Sequence, residues 1–252
     1  DAALQSLSSE VIEGVEADIL SRTPFMQNYA EGLDLLGLKI ETAANVRGQK
    51  RNISRVGHPL LLEAVVKSQS LARGEILPAA GPCKAQVVGD TTDELDQLAE
   101  DFESDFNYYL TQIDKGFYPD TDRGLFTCYF GGNLFKKVYV DPLREIPISR
   151  SVQVEDLIVS QDATDLYTAL RVTHRVFMTP SLIKRMQLAG AYRDIDIGVA
   201  QTINDPVKTK KNEVLGVQPQ STRQQDQEHT IYETYLDWSF VDNGLRENDQ
   251  KP

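Results

Sequence analysis

The sequence predicts an α+β fold, with N-terminal helices and a long acidic amphipathic helix packed against a mainly antiparallel sheet. Two observations predict it. Apolar residues recur at spacings of three and four through the first half of the chain, the period of a helix with one buried face. After Gly131-Gly132 the period shortens to two, the mark of half-buried strands. At 252 residues, with 40% hydrophobic and 25% charged side chains, the chain matches ordinary globular composition and has enough residues for a substantial core.

The helical half is expected to open with a helix capped by Ser8 or Ser9 and carrying Val11, Ile12, Val15 and Ile19. A second helix starts at Thr23-Pro24, threonine as cap and proline in the first turn. It runs through Tyr29, Leu33 and Leu36 to Gly37. Ala43 to Arg55 has weak periodicity and four basic residues, Arg47, Lys50, Arg51 and Arg55. It reads as an exposed loop, with contact to nucleic acid or an acidic neighbour as its functional alternative. Pro59 opens an apolar helix through Leu61, Val65, Ala72 and Ile76, which the run from Pro78 to Gly81-Pro82 ends. Lys84 to Val88 reads as a short strand. Thr91 or Thr92 then caps the longest helix, with Leu95, Leu98, Phe102, Phe106, Tyr109 and Ile113 on one face. A further helix starts near Pro119 and stops at Gly131-Gly132.

Leu134 to Val140 is a strand followed by a turn at Asp141-Pro142, and Pro147 to Val152 and Leu157 to Val159 are further short strands. Arg171 to Met178 alternates, with Val172, His174, Val176 and Met178 on one face. Thr179-Pro180 starts a short helix that turns Leu182, Ile183 and Met186 inward and stops at Gly190. Asn204 to Gln227 is polar and glutamine-rich, and reads as a loop, a mobile arm or a helix that needs a partner. Thr230 to Val241 is a last strand with Tyr232, Thr234, Leu236, Trp238 and Phe240 inward. The expected organisation is one incomplete domain over 1–252. Within it lie a helical part (1–80), an α+β core (81–203), a polar arm or linker (204–229) and a last strand with a truncated end (230–252). The start at Asp1 without methionine, and a hydrophobic strand with nothing after it to pair with, both suggest a fragment.

Charge narrows the function classes. The formal net charge of −12 argues against a protein that grips DNA phosphates, which takes dense Lys/Arg. Between Asp90 and Asp122 there are eleven Asp/Glu against one Lys. Such a run is either a solvated helix face or a negative surface past which a polyanion slides without sticking; composition does not choose. The longest apolar stretch, Pro59 to Val66, is broken by Glu63 and far shorter than the ~20 residues of a membrane span. No membrane partner is therefore expected. Cys83 and Cys128 are too few and too far apart for a disulfide scaffold or a cysteine-built zinc site, and are expected to be buried thiols.

Catalytic patterns are not found. His58, His174 and His229 share no metal-ligand spacing; His174 is expected to be a hydrogen-bonded core histidine and His58 a neighbour of a helix start. No phosphate-binding glycine loop, G-x-S-x-G elbow or G-x-G-x-x-G turn occurs. Asp162, Asp165, Asp194 and Asp196 are the carboxylates a fold would have to gather for a metal site, but ordinary surface loops carry the same residues. The expectation is no catalytic, cofactor-binding or metal-binding residues, and no enzyme.

Three stretches nevertheless have distinctive wording. GHPLLLEAVVKSQSLARGEILPAAGP (57–82) resembles the N-terminal helix and turn of tailed-bacteriophage portal proteins. GGNLFKKVYVDP (131–142) resembles the segment that joins a helix to the first strand of their sheet. VEDLIVSQDATDLYTALRVTHRVFMTPSLIKRMQLAGAYRD (154–194) resembles the family most closely. Together they span most of Ser8 to Ile197. The resemblance is weakest at Ala43 to Arg55 and after Ile203, and its specificity lies in the order of the segments. It implies a structural subunit of a twelve-fold ring at one capsid vertex, in the virion, assembled in the host cytoplasm. The implied partners are further copies of itself, the major capsid and scaffolding proteins, the terminase large subunit and the tail adaptor proteins, with double-stranded DNA passing non-specifically. Portal subunits also carry stem helices, a clip and often a crown. None is evident here, so the resemblance implies the outer wing domain. Two other classes stay open: a non-enzymatic adaptor module of another large assembly, and a metal-dependent hydrolase.

Overall fold

In the computed structural model the two periodicities become seven α-helices and five strands among the described residues, which are 2–36, 58–200, 206–215 and 227–237. The fold is α+β, and every strand pairing is antiparallel. No described helix is long and apolar enough to cross a membrane. The chain divides into two compact units: 35–154, and 1–34 together with 155–252.

The unit formed by 35–154 is built on helix α3 (Leu60–Ile76), helix α4 (Asp93–Tyr108), a π-helical turn (Tyr109–Ile113), helix α5 (Phe117–Gly131) and the hairpin β1 (Phe135–Asp141) and β2 (Ile146–Val152). Pro59 stands at the N-cap of α3, and the helix ends at Leu77, just before Pro78. Its Val65 and Ala72 are buried, and Gln69 Nε2 donates to the backbone carbonyl and the carboxylate of Asp122 on α5, each at 3.0 Å. α5 covers the hairpin. A Cβ at Gly124 would lie 2.7 Å from Ser151 Oγ and 2.6 Å from Leu134 Cδ1, so the bare glycine is what lets helix and strand approach so closely. α5 ends as expected, at Gly132 with φ of 83°, in the left-handed cap that glycine adopts without penalty. The hairpin register runs from Phe135↔Val152 to Asp141↔Ile146. Asp141 Oδ1 accepts from Leu143 N (2.9 Å) in the turn.

Two expectations fail in this unit. Lys84 to Val88 is not a strand. Side chains of α4 hold the start of this stretch instead: Asn107 Oδ1 accepts from Cys83 N (3.0 Å), Asn107 Nδ2 donates to Cys83 O (2.9 Å), and Glu103 accepts from Ala85 N (3.0 Å). α4 begins where expected, with Thr92 Oγ1 accepting from Leu95 N. However, at 16 residues it is shorter than α1, and Tyr109 and Ile113 belong to the π turn that continues it. Its apolar face is open to solvent, since Leu95, Leu98, Phe102 and Phe106 are all exposed.

The second unit opens with α1 (Ala2–Ser21) and α2 (Thr23–Leu35). α1 begins six residues before Ser8, because nothing in AALQSL stops a helix. Val15, Tyr29 and Leu33 are buried as their spacing requires. The sheet of this unit has the order β3 (Leu157–Ile158), β4 (Arg171–Met178), β5 (His229–Leu236), so the last strand pairs along its whole length with β4. β4 buries one side chain on each face, Met178 on the side of Val172 and His174 and Thr173 on the other, and the rest are half-buried. Thr173, on the face opposite Val172 and His174, is wholly buried and shares a 3.0 Å hydrogen bond with Thr234 across the ladder. α6 (Pro180–Leu188) follows the expected Thr179-Pro180 start, buries Ile183, and stops before Gly190 at φ of 75°. Within the polar arm lies a further helix, α7 (Pro206–Leu215), whose Val207 has no solvent exposure. Of the three readings of this stretch, the helix is the one that holds for 206–215. The basic loop from Ala43 to Arg55, and Trp238 and Phe240, lie outside the described residues.

Candidate functional site

Three of the four candidate aspartates have local partners. Asp165 Oδ1 accepts from Tyr167 N (2.7 Å) and Thr168 N (2.8 Å), closing a turn; the Thr168 bond, helped by Tyr167, holds its carboxyl below the usual range. Asp194 pairs with Lys184 at 2.8 Å, and Asp196 accepts from Gly198 N at 3.1 Å. Asp162 is exposed. Among the described residues, no three His, Cys, Asp or Glu side chains converge on a point where a metal ion would sit. Cys83 and Cys128 are half-buried free thiols, not the buried ones expected; burial, then Glu103, pushes the Cys83 thiol up. His58 is exposed, 4.0 Å from Glu63.

His174 differs most from its expected role. Its Nδ1 is buried without a hydrogen-bond partner and faces Glu233 Oε2 at 3.6 Å, directly across the β4–β5 ladder. Tyr192 donates to the other oxygen of Glu233 at 2.9 Å.

The β4 strand also organises the ion pairs of this unit. Arg171 grips Asp18 of α1 through two nitrogens (3.1 and 3.2 Å), and Arg175 donates to Asp156 at 3.0 Å. Burial raises the Asp156 carboxyl; Arg175 opposes the shift and Glu155 adds to it. Glu155 is buried and pairs with Lys211 of α7, while its Oε2 has no hydrogen-bond partner. Burial, then the Glu155 charge, raises the Tyr29 phenol. Lys210 reaches Asp34 at 2.8 Å, and Lys208 lies 4.3 Å from the Phe177 ring centroid. α7 is thus tied down by its lysines and by Val207. The sequence carried one signal of it, Asp205-Pro206 ahead of the mixed stretch VKTKKNEVL, a common way to start a helix.

In the 35–154 unit two carboxylates brace the hairpin. Asp120 Oδ2 accepts from Lys136 Nζ (2.9 Å), Ser151 N (2.7 Å) and Ser151 Oγ (2.8 Å). Asp114, at the end of the π turn, takes both Arg150 terminal nitrogens (2.8 and 3.0 Å). Tyr109, inside that turn, donates to Pro147 O on β2. Sequence reasoning missed both carboxylates, because their partners come from strands up to 36 residues away.

Two concave surfaces accompany these clusters. An open cleft of about 970 Å³ runs between the 79–87 stretch and α4, and Lys84, Asp96, Glu100, Glu103 and Asn107 contribute to its wall. An apolar groove of about 410 Å³ lies between α1 and β5, walled by Leu7, Val11, Ile12, Val15, Ile19 and Tyr232. Neither joins a nucleophile to a base that would activate it. What the described residues offer is two open surfaces and a set of ion-paired braces. No protein-family model matches the chain, and no curated protein matches it.

Proposed function

We propose that this chain is the wing part of a portal ring subunit of a tailed bacteriophage. It would serve at one capsid vertex as part of the channel for packaging and ejecting double-stranded DNA. The observation that carries the reading is the order of three resembling segments, 57–82, 131–142 and 154–194. The first two segments lie on the kinds of element that the resemblance implies, and the third contains a helix near its end, as the resemblance implies. The first is helix α3 and its proline-glycine turn, and the second is the junction from α5 into β1. The third spans β3, β4 and α6. The net charge of −12 supports it as well, since a passage for DNA works only if the phosphates are not held.

In this role the protein has no bond to make or break. Further copies of the subunit close the ring, the capsid and scaffolding proteins surround it, and the terminase large subunit and tail adaptors dock on it in turn. Braced units such as the α5-covered hairpin suit a part that must keep its shape under load. The test is electron microscopy of the purified gene product that carries these residues. Particles averaging to a twelve-fold ring with an axial hole are expected; a population without rotational symmetry would contradict the proposal.

A further inference from the structure

From the exposed face of α4 we infer a docking site for a basic amphipathic helix supplied by a different protein. Four large apolar side chains recur along this helix at spacings of three and four: Leu95 (41% exposed), Leu98 (62%), Phe102 (61%) and Phe106 (40%). Phe102 and Phe106 stack with ring centroids 5.7 Å apart. An amphipathic helix normally turns such a stripe to its own core. On α4 the stripe is left uncovered. Glu103 and Asn107 tie it to the Cys83–Ala85 backbone, and Leu95, Leu98, Phe102 and Phe106 remain outside.

The charges beside the stripe say what covers it. At 100° per residue, Glu94, Asp101 and Asp105 form a row along one edge next to Leu98, and all three are exposed. Asp96, also exposed, borders the other edge. From Thr92 to Ile113 the sequence has no Lys or Arg at all. A partner helix with its own apolar stripe, flanked by Lys or Arg, would bury the four side chains and set opposite charges along both borders. A second copy of α4 would instead set carboxylates against carboxylates. Nor does α7, the basic helix of this chain, fit as the occupant. Its Lys208, Lys210 and Lys211 are already paired with Glu228, Asp34 and Glu155. The inference stands on α4 alone and does not depend on membership of a ring.

The test uses the whole chain and a labelled synthetic peptide of roughly 16 residues, the length of α4, with leucines at helical spacing flanked by lysine and arginine. Two controls have the same composition in scrambled order, or glutamate in place of the basic residues. Saturable binding of the first peptide alone is expected by fluorescence anisotropy. The double variant Leu98→Ser/Phe102→Ser should weaken it about tenfold or more, the loss typical of removing interface anchors. Asp101→Lys/Asp105→Lys should weaken it too and raise affinity for the glutamate peptide; circular dichroism confirms that each variant keeps its helix content. Equal binding of the scrambled peptide, unchanged binding by the folded variants, or no saturable binding would overturn the inference. So would self-association abolished by Leu98→Ser/Phe102→Ser without peptide binding, which would assign the face to a second copy.

Discussion

Asp114 shows how much one side chain contributes to this fold. Burial alone would raise its carboxyl, but the hydrogen bonds from Arg150, then the Ser149 N–H and the Arg150 charge, more than offset it and hold the pKa below the usual value. A depressed folded pKa adds stability that is complete above the unfolded value of about 3.9 and is lost as pH falls through the lower folded value. Asp114→Ala leaves Arg150 without its partner and should cost about 3 kcal/mol at neutral pH. Urea denaturation across pH checks this: wild type and Asp114→Asn should converge as the solution is acidified below about pH 4. A constant gap would mean that the charge of Asp114 is not what stabilises the hairpin. The exposed aspartates lead to the opposite expectation. Nuclease and ATPase assays with added divalent metal should show no turnover, and metal-dependent turnover lost on changing Asp162, Asp165, Asp194 or Asp196 would contradict a purely structural role.

Among the elements, the Cys83–Ala85 stretch is held by α4 rather than by a sheet. Asn107→Ala strips the Cys83 N–H and C=O of their partners and should cost about 2 kcal/mol. Gly81→Ala should act through the same contact. Gly81 has φ of 118°, and a Cβ there would lie 2.2 Å from Asn107 Cγ. Faster amide exchange at Cys83 and Ala85 in both variants, with the β1–β2 hairpin unchanged, is the expected signature. Helices α2, α3 and α5 and strands β1, β2 and β4 were legible in the sequence because their periods and punctuation agree. Lys84 to Val88 was not, since an extended run looks the same whether a strand or a helix side chain takes its hydrogen bonds. For α7 the sequence offered a helix as one of three readings without choosing it, because the helix docks through one valine and three lysines, too few apolar positions to show a period. The apolar face of α4 was read correctly as a face, but whether the chain covers it is decided by elements elsewhere. Of the bracing carboxylates the sequence said nothing, because their partners meet only in three dimensions.

On the scale of the whole molecule, charge and assembly carry the expectations. With a net charge of −12, the chain should bind duplex DNA more weakly than roughly 100 μM at physiological salt. Fluorescence anisotropy with two unrelated duplexes checks it, and a tight sequence-specific complex would show that the acidic surface has been misread. Acidic helices repel their copies, so the 252 residues alone are expected to remain monomeric or associate only weakly. The stem and crown of a portal subunit would supply the ring contacts, which are heterologous and close only after a fixed rotation. Light scattering therefore gives the most direct test of the portal reading, comparing these 252 residues with the gene product that carries them. The account requires 28.2 kDa for the first and a mass of twelve subunits for the second. A gene product that stays monomeric at every concentration, or that forms only an open series of oligomers, would contradict it.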